Sequence, residues 1–453
     1  MSVDVDVVVA GAGAAGLAAS IAAADGGASV LLVEAKQTYR EGSNTAMSTS
    51  MIPAGGSRWQ EEAGIDDSPD LLYDDLMAKT KGTADRVVTR ALADVAPEMV
   101  AWLADRCGVP LELVTDVWYP GNSRQRHHSV PERSGGALHG RLLAALGDRQ
   151  SITLVVPSRL SAIEEDDGTM LATTTRPDGT EEVIMTGAVV LATNGFGANQ
   201  ELVGRYIPEI ADGLYFGGDG STGDALLFGE RLGADTGSLT AYQGHGSVAT
   251  PHGVLLTWTT MMNGGVLLNA TGQRFQNETL GYSESAVNVL SQPGGVAWAV
   301  YDETVHNKAL PFKDYRDLVE MKGIRWVDDA AGVAAIIGCR QEHVEETLAN
   351  AARYAAGEAD PLGRTDWART LEPRYAVVKV TGALFHTQGG LKVDGRAAVL
   401  RDGEPIPGLF AAGGAAIGVS GDSASGYVSG NGLLSALGLG YLAGNAVASD
   451  LSG

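Results

Sequence analysis

Near the N-terminus the chain reads Val5-Asp6-Val7-Val8-Val9-Ala10-Gly11-Ala12-Gly13-Ala14-Ala15-Gly16, runs through alanines to Ala24, and continues Ser29-Val30-Leu31-Leu32-Val33-Glu34. Asp6 to Ala10 is a short apolar run of strand character. Ala14 to Ala24 is an alanine-rich helix, and Ser29 to Val33 is a second buried strand, so the stretch predicts one βαβ unit. Its turn carries GxGxxG. Gly11 permits the tight turn, Gly13 lets the backbone approach a pyrophosphate, and Gly16 allows the helix to sit close on the strand. Ala14 and Ala15 open a helix whose N–H groups and positive dipole end face the anion. Glu34 ends the second strand, where a carboxylate takes ribose hydroxyls and disfavours a 2′-phosphate. NADP is therefore a poorer fit than FAD or NAD. The late run Gly408-Leu409-Phe410-Ala411-Ala412-Gly413-Gly414 reads as a second contact with a long, two-ended cofactor, which favours FAD.

The rest of the chain bounds the answer. At 453 residues, it is long enough for two or three domains. A net charge of −23 would repel a nucleic-acid backbone or an anionic bilayer. Cys107 and Cys339 form no CxxC clip, and no cluster of metal-ligand spacing stands out. No basic leader precedes the first strand and no apolar run reaches membrane length, so a soluble, cytoplasmic protein without membrane insertion is expected. Residues 151–192 read as a β-meander returning to a buried strand, Ala188 to Ala192. The stretch 240–381 has its own strands and helices and loses the glycine patterning. The expected plan is an α/β fold, with 1–239 and 382–453 forming a cofactor domain and 240–381 a second domain inserted into it.

The segments VVVAGAGAAGLAASIAAA, GSNTAM, VVLATNGFGAN, GDGSTGDALLFGERLGA, LLNATGQRFQNE, GALFHTQGGLKVD and IPGLFAAGG followed by SGNGLLSALGLGYLAG occur in an order that resembles one flavoprotein family. It comprises fumarate reductases, succinate dehydrogenase flavoprotein subunits and 3-ketosteroid dehydrogenases. The resemblance implies a Rossmann-type (GR2-like) FAD-binding domain with an inserted α+β capping domain, and substrate held between flavin and cap. It places Gly11, Gly13, Gly16, Glu34, Ala35 and Lys36 on the ADP side of FAD, and Ser43, Asn44 and Thr45 in the loop over pyrophosphate and flavin. Val156 takes the adenine-contacting position, Thr193, Asn194 and Gly195 the turn against the cofactor, and Asp224 an acidic flavin-side position. Gly413 lies in the late turn, and Leu433 and Leu434 open a helix facing the flavin pyrimidine. The family's early double glycine reads Ser50-Met51, and the acidic residue after its late AAG is Gly414. No histidine matches the one that binds FAD covalently in succinate dehydrogenases, so noncovalent FAD is expected.

The same resemblance divides on the reaction. Arg274 matches the proton-donating arginine of fumarate reductases, and His245 and His386 match their substrate-binding histidines. The relay positions, however, fall on Trp258 and Met261, and the carboxylate-clamping arginine is Gly432. A dianion without a guanidinium leaves desolvated carboxylates unpaired, at a cost of several kcal/mol. Fumarate and succinate are therefore poor candidates. Tyr427 and Ser429, just before the last helix, resemble the ketosteroid dehydrogenase arrangement, in which a phenol and a backbone N–H polarise a ketone. Tyr282 is the candidate base, with Arg274 as the cation that lowers its pKa. Arg124 and Arg126 have two readings: a clamp for one substrate carboxylate remote from the chemistry, or partners for the protein's own acidic surface; Trp258 counts among the substrate-binding candidates. The expected activity is desaturation of a Cα–Cβ bond next to a ketone, in an oxo-cyclohexane carboxylate or a 3-ketosteroid-like ring. An unknown acceptor takes the electrons. The alternatives are a reductase of an activated alkene and a flavin-binding electron carrier without turnover.

Overall fold

The computed structural model describes residues 3–166 and 168–452. The opening βαβ unit forms as the sequence predicts: strand Val5–Ala10, helix Ala14–Asp25 and strand Val30–Val33. The first strand is central in an eight-stranded sheet, parallel to Val30–Val33 on one side and to Glu181–Leu191 on the other. Ile152–Val155 and Glu404–Ala411 extend the parallel set outward. Strands Arg159–Asp166, Thr169–Thr175 and Glu181–Leu191 form the expected antiparallel meander.

The first helix is buried from Ala14 to Ala23, which its small side chains permit. It packs against the last helix, Asn431–Ser452, through a seam of small residues. A Cβ at Gly440 would stand 2.4 Å from the Ala15 carbonyl oxygen, and one at Gly444 2.5 Å from that of Ala19. Neither position has room for a side chain, so the two backbones touch. The last helix is long and apolar enough to cross a membrane, but most of its apolar window is buried inside the protein, as in a core helix.

A second, seven-stranded sheet centres on Tyr375–Thr387, flanked by Tyr242–Ala249 and Val296–Asp302. It draws in Leu214–Tyr215 and runs to Thr387, beyond both edges expected at 240 and 381. Helix Tyr282–Leu290 rests directly on this sheet where it lacks side chains. A Cβ at Gly244 would meet the Ala286 side chain at 2.7 Å, and one at Gly382 the Ala286 carbonyl oxygen at 2.3 Å. This close seating carries Tyr282, the first helical residue, to the junction between the two sheets.

Arg274 is the first expectation to be corrected. Its guanidinium grips Glu278 at 2.7 and 2.9 Å and Asp360 at 3.0 Å, and lies 4.7 Å from the Trp367 ring centroid. Arg364, wholly buried, shares Glu278 at 3.2 Å. Glu278 four residues on, the remote Asp360 and an indole fill every direction of the side chain, which fastens the stretch after Asp360 to the second domain.

Candidate active site

One elongated cavity runs between the two sheets, and the first helix begins at its wall. Its adenosine end is built from Gly11, Gly13, Ala14, Ala15, Glu34, Ala35 and Lys36. Gly11 sits at φ +107°, and a Cβ there would lie 2.3 Å from the Ala192 carbonyl oxygen. Gly16 does not reach the cavity; a Cβ on it would fall 1.8 Å from the Gly11 carbonyl oxygen, so it serves helix–strand packing. Glu34 accepts from the Ala12 N–H at 2.8 Å and the Lys36 N–H at 2.7 Å, which fixes its carboxylate across the strand end with lone pairs to spare.

Further along, Ser43, Asn44 and Thr45 line the cavity. The Ala14 N–H donates to Thr45 Oγ1 at 2.9 Å, and Asn44 Oδ1 accepts from the Gly218 N–H at 2.6 Å. Thr193, Asn194, Gly413 and Leu433 line it too, whereas Gly195 and Leu434 stand behind the wall. Gly195 is packed against Thr387, where a Cβ would come within 1.9 Å of Oγ1. Both departures from the family pattern have steric readings. A Cβ at Gly414 would lie 2.5 Å from Asn194 Oδ1. Ser50 holds the left-handed conformation (φ +56°) that the missing glycine would adopt, with its hydroxyl 2.6 Å from Ser129 Oγ.

Two cofactor expectations move. Val156 is a third exposed and off the cavity; Ser158, Arg159 and Leu160 line it instead. Asp224 pairs with Arg159 at 2.6 Å, on the strand that follows Ser158, whose N–H reaches the Glu34 carbonyl. It therefore belongs to the adenosine end rather than beside the flavin.

The far end gathers Tyr119, His245, Trp258, Tyr282, Phe385, His386, Tyr427 and Ser429. Phe216, Phe385, His245 and Tyr282 stack in sequence, with ring centroids 5.0, 5.2 and 4.7 Å apart and interplanar angles of 20–30°. The rings of Tyr282 and Tyr427 meet edge to face, with centroids 5.9 Å apart. The Gly432 N–H favours the ionised form of Tyr427 and the Ser429 side chain that of Tyr282, but burial outweighs both. Gly432 is a glycine for a steric reason: a Cβ there would come 2.8 Å from the His386 ring. Burial without a counter-charge pushes His245 down to about 3 and His386 to about 4, so both are neutral at ordinary pH. The same burial raises Tyr282 and Tyr427 and pushes Tyr119 up to about 12.

Two expectations about this end are corrected. Arg274 is not among the lining residues, so no cation lowers the Tyr282 pKa. Arg126 is fully buried between Asp67 and Asp75, and Arg124 donates to the Asp66 and Ser123 carbonyls; neither can clamp a substrate carboxylate. Their segment serves the site indirectly, because His127 bonds the Ser429 carbonyl at 3.0 Å. Among the described lining residues the only cations are Lys36 and Arg159, both at the adenosine end. Tyr119 has no counterpart in the sequence expectations. Its only signal was an aromatic in the Trp118-Tyr119-Pro120-Gly121 turn, and the small sheet Ile52–Pro53, Glu112–Leu113 and His127–Ser129 brings that turn to the cavity.

Two buried hydroxyls on this cavity, Thr193 Oγ1 and Ser435 Oγ, have no partner in the protein. A polar ligand along the wall would satisfy them, as a dinucleotide does. The signature of the FAD binding domain family matches residues 6–432. The chain belongs to that family. FAD is its cofactor; when bound, it would have Glu34 at the ribose and the Gly11–Gly16 turn at the pyrophosphate. A probable fumarate reductase from Shewanella frigidimarina is 31% identical over 426 residues, covering 92% of this chain and 70% of that protein. The structure of a 3-ketosteroid-Δ4-(5α)-dehydrogenase from Rhodococcus jostii, in complex with 4-androstene-3,17-dione, superposes with a TM-score of 0.76. It is 26% identical, with 99% of this chain and 98% of that one covered. An open flavocytochrome c3 fumarate reductase gives 0.79 at 27% identity, over 98% of this chain and 78% of that one. The chain is thus an FAD-dependent oxidoreductase of a group that acts on CH–CH bonds.

Proposed function

We propose that this flavoprotein desaturates the Cα–Cβ bond next to a ketone in a neutral, cyclic, steroid-like substrate. One observation carries the reading: the far end of the cavity holds protonated phenols and a backbone N–H against an uncharged aromatic wall. A ketone oxygen seated between the Tyr427 hydroxyl and the Gly432 N–H gains most from those donors as enolate charge develops, which lowers the barrier to losing an α-proton. Tyr282, its ring 5.9 Å from that of Tyr427, receives that proton in its phenolate form. Trp258 and the ring stack ending in Phe216 give a flat hydrocarbon a surface to lie on. FAD, when bound, supplies the acceptor for the hydride from the β-carbon, and an external oxidant then takes the electrons.

The carboxylate-bearing substrate loses its support because Arg126 is committed to Asp67 and Asp75 and Arg124 to backbone carbonyls. A reductase of activated alkenes is the second reading, favoured by the 31% identity to a probable fumarate reductase; against it, Arg274 points into its ion cluster. The cofactor is held noncovalently, so acid-denatured protein should release its yellow colour to the supernatant. Incubating the holoenzyme with an artificial electron acceptor and saturated cyclic ketones tests the activity. Mass spectrometry should show product lighter by two hydrogens; unchanged ketone, with enones reduced when a donor is supplied, would reverse the assignment.

A further inference from the structure

Behind the ring of His386 runs a file of polar side chains that starts at Gln388 on the cavity wall and runs into the interior. Gln388 Nε2 lies 2.9 Å from His386 Nδ1, Ser420 Oγ lies 2.9 Å from Gln388 Oε1, and Asn431 Nδ2 lies 3.2 Å from Ser420 Oγ. Gln388, Ser420 and Asn431 are at most 4% exposed, so water does not compete for these contacts.

Such a file has a direction. Started from Asn431, the amide donates to Ser420, the serine donates to Gln388 Oε1, and the Gln388 amide donates to His386 Nδ1. Of the atoms in the file, that order leaves one, Asn431 Oδ1, without a partner. Run in reverse, the file ends by stranding the Asn431 amide NH₂ in the interior. A buried orphan N–H is rarer and costlier than an under-used carbonyl oxygen, so the first order prevails. The other partner of Nδ1, the Thr387 carbonyl, is 3.4 Å away and outside the ordinary hydrogen-bond range.

A neutral imidazole that accepts at Nδ1 carries its proton on Nε2. That atom stands beside Gly432, 2.9 Å from where a Cβ would be, with the ring 5.7 Å from that of Tyr427. We propose that Gln388 is a positioning residue that locks His386 as the Nε2–H tautomer, adding a third donor next to Tyr427 and the Gly432 N–H for the substrate oxygen. The role of that donor rests on the ketone reading; the tautomer itself does not.

The two are separable by experiment. Ring ¹⁵N–¹H correlation spectra of the FAD-loaded protein, assigned with a His386→Asn variant, should show His386 protonated at Nε2. Gln388→Glu substitutes a carboxylate that accepts from Nδ1–H and should move the ring proton to Nδ1, while Gln388→Leu, if the glutamate variant fails to fold, should remove the lock. A substituted phenol, as an enolate mimic followed by the flavin absorbance, should bind at least about tenfold more weakly to either variant. Wild-type His386 protonated at Nδ1 would overturn the proposal. So would a tautomer indifferent to Gln388, or a proton moved to Nδ1 with undiminished phenol affinity. Spectra and phenol binding as expected, with cyclic ketones that leave the flavin oxidised, would keep the positioning role and discard the ketone reading.

Discussion

At one end of the cavity Glu34, Asp219 and Asp224 stand among Lys36 and Arg159; at the other, Tyr119, Trp258, Tyr282, Tyr427 and two neutral histidines present no formal charge. The first end suits a polyol and a pyrophosphate, which need fixed donors, carboxylates and closely approaching backbone. The second suits an uncharged ring with a single polar oxygen. Cofactor and substrate are thus told apart by electrostatics within one continuous space. A dicarboxylate at the far end would meet hydroxyls and hydrocarbon but no guanidinium.

The two ends should fail differently when altered. The largest effect belongs to Gly11→Val, whose side chain would collide with the Ala192 carbonyl: complete loss of bound FAD, read from the visible spectrum of the purified protein. Arg274→Ala leaves Glu278 and Asp360 buried beside a missing charge. It should cost about 3–5 kcal/mol of stability, seen in denaturant melts, while the holoenzyme that remains turns over at the wild-type rate. A collapse of kcat in otherwise stable protein would instead restore Arg274 as a proton donor. At the far end, Tyr427→Phe removes one donor and should lower kcat by about 10²–10³-fold with FAD still bound; an unchanged kcat would take Tyr427 out of the chemistry. The pH profile sharpens the contrast further. Tyr282 is raised by burial and lacks a neighbouring cation, so its base form is scarce at neutrality and grows as pH rises. The kcat/KM should therefore climb about tenfold per pH unit between pH 7 and 9, and a flat profile would exclude a phenolate base. The smallest effect is that of Lys36→Ala, whose exposed pair with Asp219 should contribute within about 1 kcal/mol to stability.

What was legible in the sequence follows the same divide. The adenosine end is governed by local sterics: Gly11, Gly16 and Glu34 lie within one βαβ unit, and their spacing alone states the geometry. Asp224 and Val156 were misplaced because their surroundings come from distant segments, Arg159 for the one and the cavity-lining run Ser158–Leu160 for the other. The arginines' partners could not be read. Arg274 finds Asp360 86 residues away, and Arg126 finds Asp67 59 residues away, pairings that no local pattern announces. Tyr282, Tyr427, His245 and His386 were legible as residues through the family resemblance. Their assembly into a charge-free wall was not, because it depends on the bare backbone at Gly244 and Gly382 that lets one helix press onto the sheet.

Anaerobic mixing of the oxidised holoenzyme with a panel of substrates, watched at the flavin absorbance, tests the central claim most directly. Neutral saturated cyclic ketones should bleach the flavin rapidly, while succinate leaves it yellow. Bleaching by succinate together with inert ketones would contradict the account.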